Sequence, residues 1–254
     1  MIDYLKASFK EKFNCEAIFF EKLPQSGSYR QYFRLSNNNI SVIGVFNEDK
    51  KENKAFVEFC KHFYKKGIAV PEIYSVDLEN DVYLQEDLGS VCLLDFIEDD
   101  KKAYSEGLKT LYKKVIAALV NMQINGGDGL NYSLCMPRDS FDAQSISWDL
   151  NYYKYCWCRL AMVPLDEQGL ENDFSKLTDF LLSERHDFFL FRDFQSRNIM
   201  IKGSEPFFID FQGGRKGALQ YDIASLLYDA IAEIPDPLRE ELLDYYMDCV
   251  EKYI

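Results

Sequence analysis

Histidine is almost missing from this chain of 254 residues: only His62 and His186 occur, and they offer no ligand cluster. Zinc is further disfavoured because Cys156-Trp157-Cys158 is too closely spaced for the usual knuckle. The seven cysteines (15, 60, 92, 135, 156, 158, 249) are odd in number and follow no regular framework, so a reducing, cytoplasmic compartment is expected. No run approaches the roughly 18 apolar residues that cross a bilayer, and the start, Met-Ile-Asp-Tyr-Leu-Lys, lacks the apolar core of a signal peptide. Secretion and membrane insertion are therefore not expected. Positive charge is in deficit. A net charge of −13 leaves no basic footprint for nucleic acid or for anionic membrane surfaces, and gives cationic substrates a mild advantage. Internal repeats and low-complexity segments are absent too.

What is present is apolar and ordered. At 47% hydrophobic content the chain can bury a substantial core, as one domain or two closely packed lobes. Strand patterns at 17–23, 31–35 and 40–46, with turn chemistry in 24–29 and 37–39, read as a meander. Phe56, Phe59, Cys60 and Phe63 repeat at helical spacing over 52–66, and Gly67 with Pro71 stops that helix. A further strand at 82–86 breaks at Asp87-Leu88-Gly89. Beyond it the pattern turns helical. Leu108, Leu111, Tyr112, Val115, Ile116, Leu119 and Val120 form a wide apolar stripe closed by Asn125-Gly126-Gly127. Helices are also predicted over 141–162 and 174–182, a strand over 188–191, and helices after Tyr221 split by Pro235-Asp236-Pro237. The best boundary is the stretch 87–90, giving lobes 1–87 and 88–254.

The most telling stretch is 191–222. Asp193 and Asn198 lie five positions apart on a predicted loop that runs into the short strand 198–201, and Asp210 ends a second strand, 206–209. Moving a γ-phosphoryl group needs a carboxylate to orient the attacking hydroxyl and accept its proton. It also needs hard oxygen ligands holding magnesium against the triphosphate. Asp193 fits the first role, and Asp210 with Asn198 the second. Taken singly, Asp and Asn are also ordinary turn and strand-end residues. In this order and context the three point to phosphotransfer.

The order of parts resembles the aminoglycoside phosphotransferase family of small-molecule kinases, and within it the bacterial N-acetylmuramate/N-acetylglucosamine kinases. The strings that carry the likeness are Ser28-Tyr29-Arg30-Gln31-Tyr32-Phe33-Arg34, Glu52-Asn53, Glu86-Asp87-Leu88-Gly89, Arg192-Asp193 through Arg197-Asn198, Asp210-Phe211-Gln212 and Tyr221-Asp222. The resemblance implies an α+β, protein-kinase-like two-lobed fold. Its N-lobe would be an antiparallel sheet with one helix, and its C-lobe mainly helical. It further implies ATP and Mg²⁺ as cofactors, Asp193 as catalytic base, and Asn198 and Asp210 as metal ligands. Gln85, Glu86 and Asp87 would form the hinge whose backbone meets adenine. Asp222 would brace the catalytic loop from the start of a helix, where an acid is also an ordinary N-cap.

The chain departs from that pattern in several places. Phe191 stands where a histidine usual to the superfamily precedes the Arg-Asp pair. The strand 40–46 carries no lysine for the phosphates, which leaves Arg30 or Arg34 as its substitute, against the plainer reading of surface arginines. The loop bearing Ser26, Gly27 and Ser28 has one glycine, yet its hydroxyls and N–H groups suit phosphates. Gln195, Gln212 and the lack of an Ala-Pro-Glu segment disfavour a protein kinase. Arg197 suits substrate, a phosphate oxygen or a loop-anchoring ion pair. Trp148, Tyr152, Tyr153, Tyr155 and Trp157 read as core packing, with stacking on a sugar ring as the alternative. Family members usually continue with further helices after the Tyr-Asp helix, so the chain reads as a shortened form.

These observations lead to an expected kinase transferring phosphate to a small-molecule hydroxyl, an amino sugar being the favoured acceptor. Another metabolite or an aminoglycoside is the first rival. The second is a nucleotide-binding regulatory domain that has lost catalysis.

Overall fold

A computed structural model describes residues 1–24 and 29–254. Strands β1 (Phe19–Lys22), β2 (Gln31–Ser36), β3 (Ser41–Phe46), β4 (Ile73–Asp77) and β5 (Val82–Glu86) form an antiparallel sheet in the order β1-β2-β3-β5-β4. Two helices cover it, one on each face, where the sequence reading placed one. Helix α1 (Ile2–Phe13) buries Leu5 and Phe9 in a small cluster with Phe33, Leu35, Val42, Val82 and Leu84. Gly44 permits that docking, because a Cβ there would sit 2.7 Å from Leu35 Cδ1 and 2.9 Å from Leu5 Cδ2. Helix α2 (Lys50–Lys65) starts where Asp49 accepts hydrogen bonds from the N–H groups of Lys51 and Glu52, seven residues before the first phenylalanine of its apolar stripe. Its Phe56, Phe59 and Phe63 enter the main core.

The remainder is mainly helical: α3 (Leu93–Asp99), α4 (Glu106–Asn121), α5 (Ala143–Tyr152), α6 (Glu167–Leu182), α7 (Gln220–Leu227) and α8 (Asp236–Val250). Helix α4 runs on as a π-helical turn, Met122–Gly126, and α5 likewise through Tyr153–Cys158. Two small ribbons carry the functional stretch: β6 (Phe188–Leu190) pairs with β9 (Arg215–Gly217), and β7 (Ile199–Lys202) with β8 (Glu205–Phe208). One hydrophobic cluster joins both halves, running from Ile43, Val45 and Phe56 through Leu111, Val115 and Phe189 to Leu242. Phe211 is its centre. It stacks on Phe56 of α2 at 5.1 Å and meets Phe63 and Phe191 edge-on.

The aromatic group on α5 corrects the core-packing expectation. Trp148, Tyr152, Tyr153, Tyr155 and Trp157 are all exposed, with Tyr153 and Trp157 stacked on each other at 5.5 Å. The physical reason is that α6, the partner of α5, has no buried residue, so this helical pair stands off the core. Lys154 ties the pair together through Glu167 and Glu171 at 2.6 and 2.7 Å. All seven cysteines are free. Among the described residues no helix is long and apolar enough to cross a membrane.

Candidate active site

Residues 191–198 leave the core and return to it as a tight loop, and two carboxylates hold that path. Asp222, in the first turn of α7, is wholly buried. One of its oxygens accepts from the Phe191 N–H at 2.8 Å and from Gln123 Nε2 at 2.9 Å, the other from the Arg192 N–H at 2.9 Å. Burial pushes its pKa up to about 6 against the pull of those donors. The helix cap itself is Leu219, so Asp222 is a loop brace and not an N-cap. The second carboxylate, Asp229, accepts from Ser196 Oγ at 2.7 Å and from its N–H at 3.3 Å. Between these anchors Arg192 adopts φ 82°, a left-handed conformation costly for a residue with a side chain.

The same loop sets Asn198. Its Nδ2 donates to the Asp193 carbonyl at 2.9 Å, and its Oδ1 has no hydrogen bond to a described residue. Register in the β7–β8 hairpin, Ile199 opposite Phe208, brings Asn198 and Asp210 out at one end. The Ile209 N–H donates to the Asn198 carbonyl at 3.2 Å. Asp210 then turns away at φ 68° while Gln212 Nε2 donates to its carboxylate at 2.7 Å.

Asp193, Arg197, Asn198, Asp210 and Gln212 together line one cavity of about 640 Å³, roofed by Tyr32, Ile43, Gln85 and Glu86 of the sheet. Asp193 is open to this cleft, yet the protein walls around it withdraw enough water to raise its pKa above the ordinary carboxylate value. Arg192 opposes that rise, and the like charge of Asp210 adds to it. Among the described residues no three His, Cys, Asp or Glu side chains cluster as a metal site. The donors available are one carboxylate, Asp210, and one amide oxygen, Asn198 Oδ1. This hard-oxygen pair suits magnesium, which takes few protein ligands and completes its shell with phosphate and water.

The two candidate arginines part company. Arg30 is buried, with Nη2 2.9 Å from Glu52 of α2 and Nη1 3.8 Å from Asp210. Arg34 is held by Asp87 in a two-pronged pair of 2.7 and 3.1 Å and by the Gly89 carbonyl, away from the cavity. The Asp87 carboxylate also accepts from Ser41 Oγ and the Gly89 N–H, so its side chain braces the 87–89 turn. Glu86 pairs with Lys202 at 2.6 Å across the cleft mouth. Arg197 makes no ion pair with a described residue. Ser26, Gly27 and Ser28 lie outside the described residues. Sequence reasoning missed Gln123, Gln212 and Asp229, whose roles depend on contacts between distant segments. For Gln212 alone, its place two residues after Asp210 was a usable signal.

This sheet-and-helix architecture is shared with known small-molecule kinases. The solved structure of the aminoglycoside phosphotransferase APH(2'')-Ib bound to ADP superposes with a TM-score of 0.69 at 14% identity, over 97% of this chain and 85% of that one. A choline kinase from Cryptosporidium parvum gives 0.68 at 12% identity, over 99% and 80%. The fold is thus the protein-kinase-like fold of these phosphotransferases. A model of the phosphotransferase enzyme family, APH, matches residues 22–253, and the chain belongs to that family. Among curated proteins it is similar to the N-acetylmuramate/N-acetylglucosamine kinase of Pseudomonas aeruginosa, 26% identical over 233 residues, 89% of this chain and 65% of that protein. The kinase of the same name from Neisseria meningitidis is 23% identical over 231 residues, 87% and 64%. The chain therefore spans just under two thirds of the length of the curated relatives it matches.

Proposed function

We propose that this protein is an ATP- and magnesium-dependent kinase that transfers the γ-phosphoryl group to a hydroxyl of an amino sugar of the N-acetylglucosamine/N-acetylmuramate type. The observation that carries the reading is the meeting of Asp193, Asn198 and Asp210 along one cavity beside the 85–89 turn. The kinases named for that substrate pair, similar along nearly all of this chain, support the acceptor. A cytoplasmic location follows from the same reading, with the lobes meeting at 87/88.

In this mechanism the Asp193 carboxylate orients the acceptor hydroxyl and takes its proton as the oxygen attacks phosphorus. The raised pKa makes Asp193 a better proton acceptor than an ordinary carboxylate. Asp210 and Asn198 Oδ1 would hold magnesium, which when bound neutralises charge on the β- and γ-phosphates. Arg30, steadied by Glu52, supplies the cation that strand 41–46 lacks, and Arg197 stands at the cleft for the transferring group or the acceptor. Backbone groups of the hinge 85–87 meet the adenine, and Ser26, Gly27 and Ser28 serve the phosphates.

Release of ADP on a panel of hydroxylated acceptors tests the reading. Turnover with N-acetyl amino sugars is expected. Turnover confined to aminoglycosides or choline-like alcohols would move the acceptor, and magnesium-dependent ATP binding without any turnover would leave a nucleotide-binding domain.

A further inference from the structure

Outside the cleft, close to Asp193, lies a cation without an anion. Arg215 opens β9 opposite Leu190 of β6, where the loop bearing Asp193 begins, and is 1% exposed. Neutral groups alone hold its guanidinium. Nε and Nη2 both donate to the Gly213 carbonyl, at 3.1 and 2.9 Å, and Nη2 donates as well to the Met136 carbonyl at 3.0 Å. Nη1 is shut away from solvent with no hydrogen-bond partner, and among the described residues no carboxylate forms an ion pair with the group. Burial and the like charge of Arg192 both work against its ionised form. Withdrawing a charge from water without a counter-ion is destabilising, and methionine would fill the same space without that penalty. A group that the fold itself does not favour calls for another explanation.

Both of its acceptors belong to segments that shape the site. A Cβ on Gly213 would come 3.8 Å from Asp193 Oδ2, so the peptide that Arg215 grips flanks the Asp193 carboxylate. Met136 precedes α5, whose Asp149 holds Arg192 at 3.3 Å. Three arginine charges reach Asp193, those of Arg192, Arg197 and Arg215, and only Arg215 is buried. Its field is therefore the least weakened by water. We propose that Arg215 is a positioning residue for phosphoryl transfer, which fixes the Gly213 turn against the Asp193 carboxylate and sets an unneutralised positive charge behind it. This rests on the reading of Asp193 as proton acceptor. Arg215 touches neither nucleotide nor acceptor in this account, because its side chain does not line the cleft. Its effect belongs to the chemical step and not to nucleotide binding.

The test compares the full chain with Arg215→Lys, which keeps the charge and loses the fork, and Arg215→Gln, which keeps a donor and loses the charge. Steady-state transfer from ATP to N-acetylglucosamine, with magnesium, gives kcat and KM for ATP, and thermal melts confirm folding. Arg215→Gln should lower kcat about a hundredfold with KM for ATP within about twofold of the unaltered protein. Arg215→Lys should lose only about tenfold, again in kcat alone. That second readout decides the matter if the glutamine variant fails to fold, since an unchanged kcat in folded Arg215→Lys contradicts the proposal. Equal losses in the two variants, or a KM for ATP that rises in step with the fall in kcat, would reduce Arg215 to a structural residue and overturn the inference while leaving the kinase reading intact. No transfer by the folded, unaltered protein would overturn both.

Discussion

Arg30 is a buried cation beside the metal-ligand candidate Asp210. It lies 2.9 Å from Glu52 and comes within 3.8 Å of Asp210. If it neutralises the nucleotide phosphates, Arg30→Gln should lower kcat/KM for ATP by about a hundredfold, and Arg30→Lys should recover part of that by keeping the charge. Equal activity in all three proteins would remove Arg30 from the mechanism. Asp222 makes a different kind of prediction. Its pKa is near 3.9 in an unfolded chain and about 6 here, so the folded state binds more protons between those values. Its contribution to stability therefore falls as pH rises from about 4 to about 6, by roughly 3 kcal/mol at most, and stays low above that. The Tm advantage of the unaltered protein over Asp222→Asn should shrink across that window. A constant difference between pH 4 and 7 would contradict the assignment. At this level much was legible: Asp193, Asn198 and Asp210 stand in an order that chemistry explains. The choice of Arg30 over Arg34 was not legible, because it turns on which arginine Asp87 captures.

Helix α7 and the turn after it hold the 191–198 loop from behind, through Asp222 at its start and Asp229 at Ser196. Ser196 sits midway between Asp193 and Asn198 and is buried, so its bond to Asp229 positions both without touching substrate. Ser196→Ala is expected to lower kcat about tenfold with KM for ATP unchanged, whereas a shift in KM alone would mean that the bond serves nucleotide binding instead. Threonine at 196 restores the hydroxyl and should recover part of the loss. Most elements announced themselves by period. The stripe from Leu108 to Val120 gave α4, and the phenylalanines of α2 gave its buried face. Helix α1 escaped because its apolar positions, Leu5 and Phe9, are few among charged neighbours, and only the opposing sheet with Gly44 makes them a core. Strand β4 escaped because it is a half-exposed edge with a register shift between Ile73 and Ser75. The aromatic run of α5 misled for the converse reason: its composition suits a core, but among the described residues no element covers it.

The two lobes share one hydrophobic cluster through Phe56, Phe211 and Phe191, so the metal-ligand candidate Asp210 is attached by its neighbour to both. Phe211 thereby packs α2 against the 191–198 loop. The ion pair of Glu86 with Lys202 bridges the same two lobes at the cleft mouth. The central claim is that Asp193 accepts the proton of an amino-sugar hydroxyl while Asp210 and Asn198 hold the metal. It is tested most directly by following phosphoryl transfer from ATP to N-acetylglucosamine by phosphorus NMR, with unaltered protein and Asp193→Asn side by side at matched nucleotide occupancy. The account predicts a sugar phosphate formed by the unaltered protein and a rate lower by about three orders of magnitude in the variant, with ADP affinity preserved. Equal rates in the two proteins, or no sugar phosphate from a protein saturated with magnesium and ATP, would contradict it.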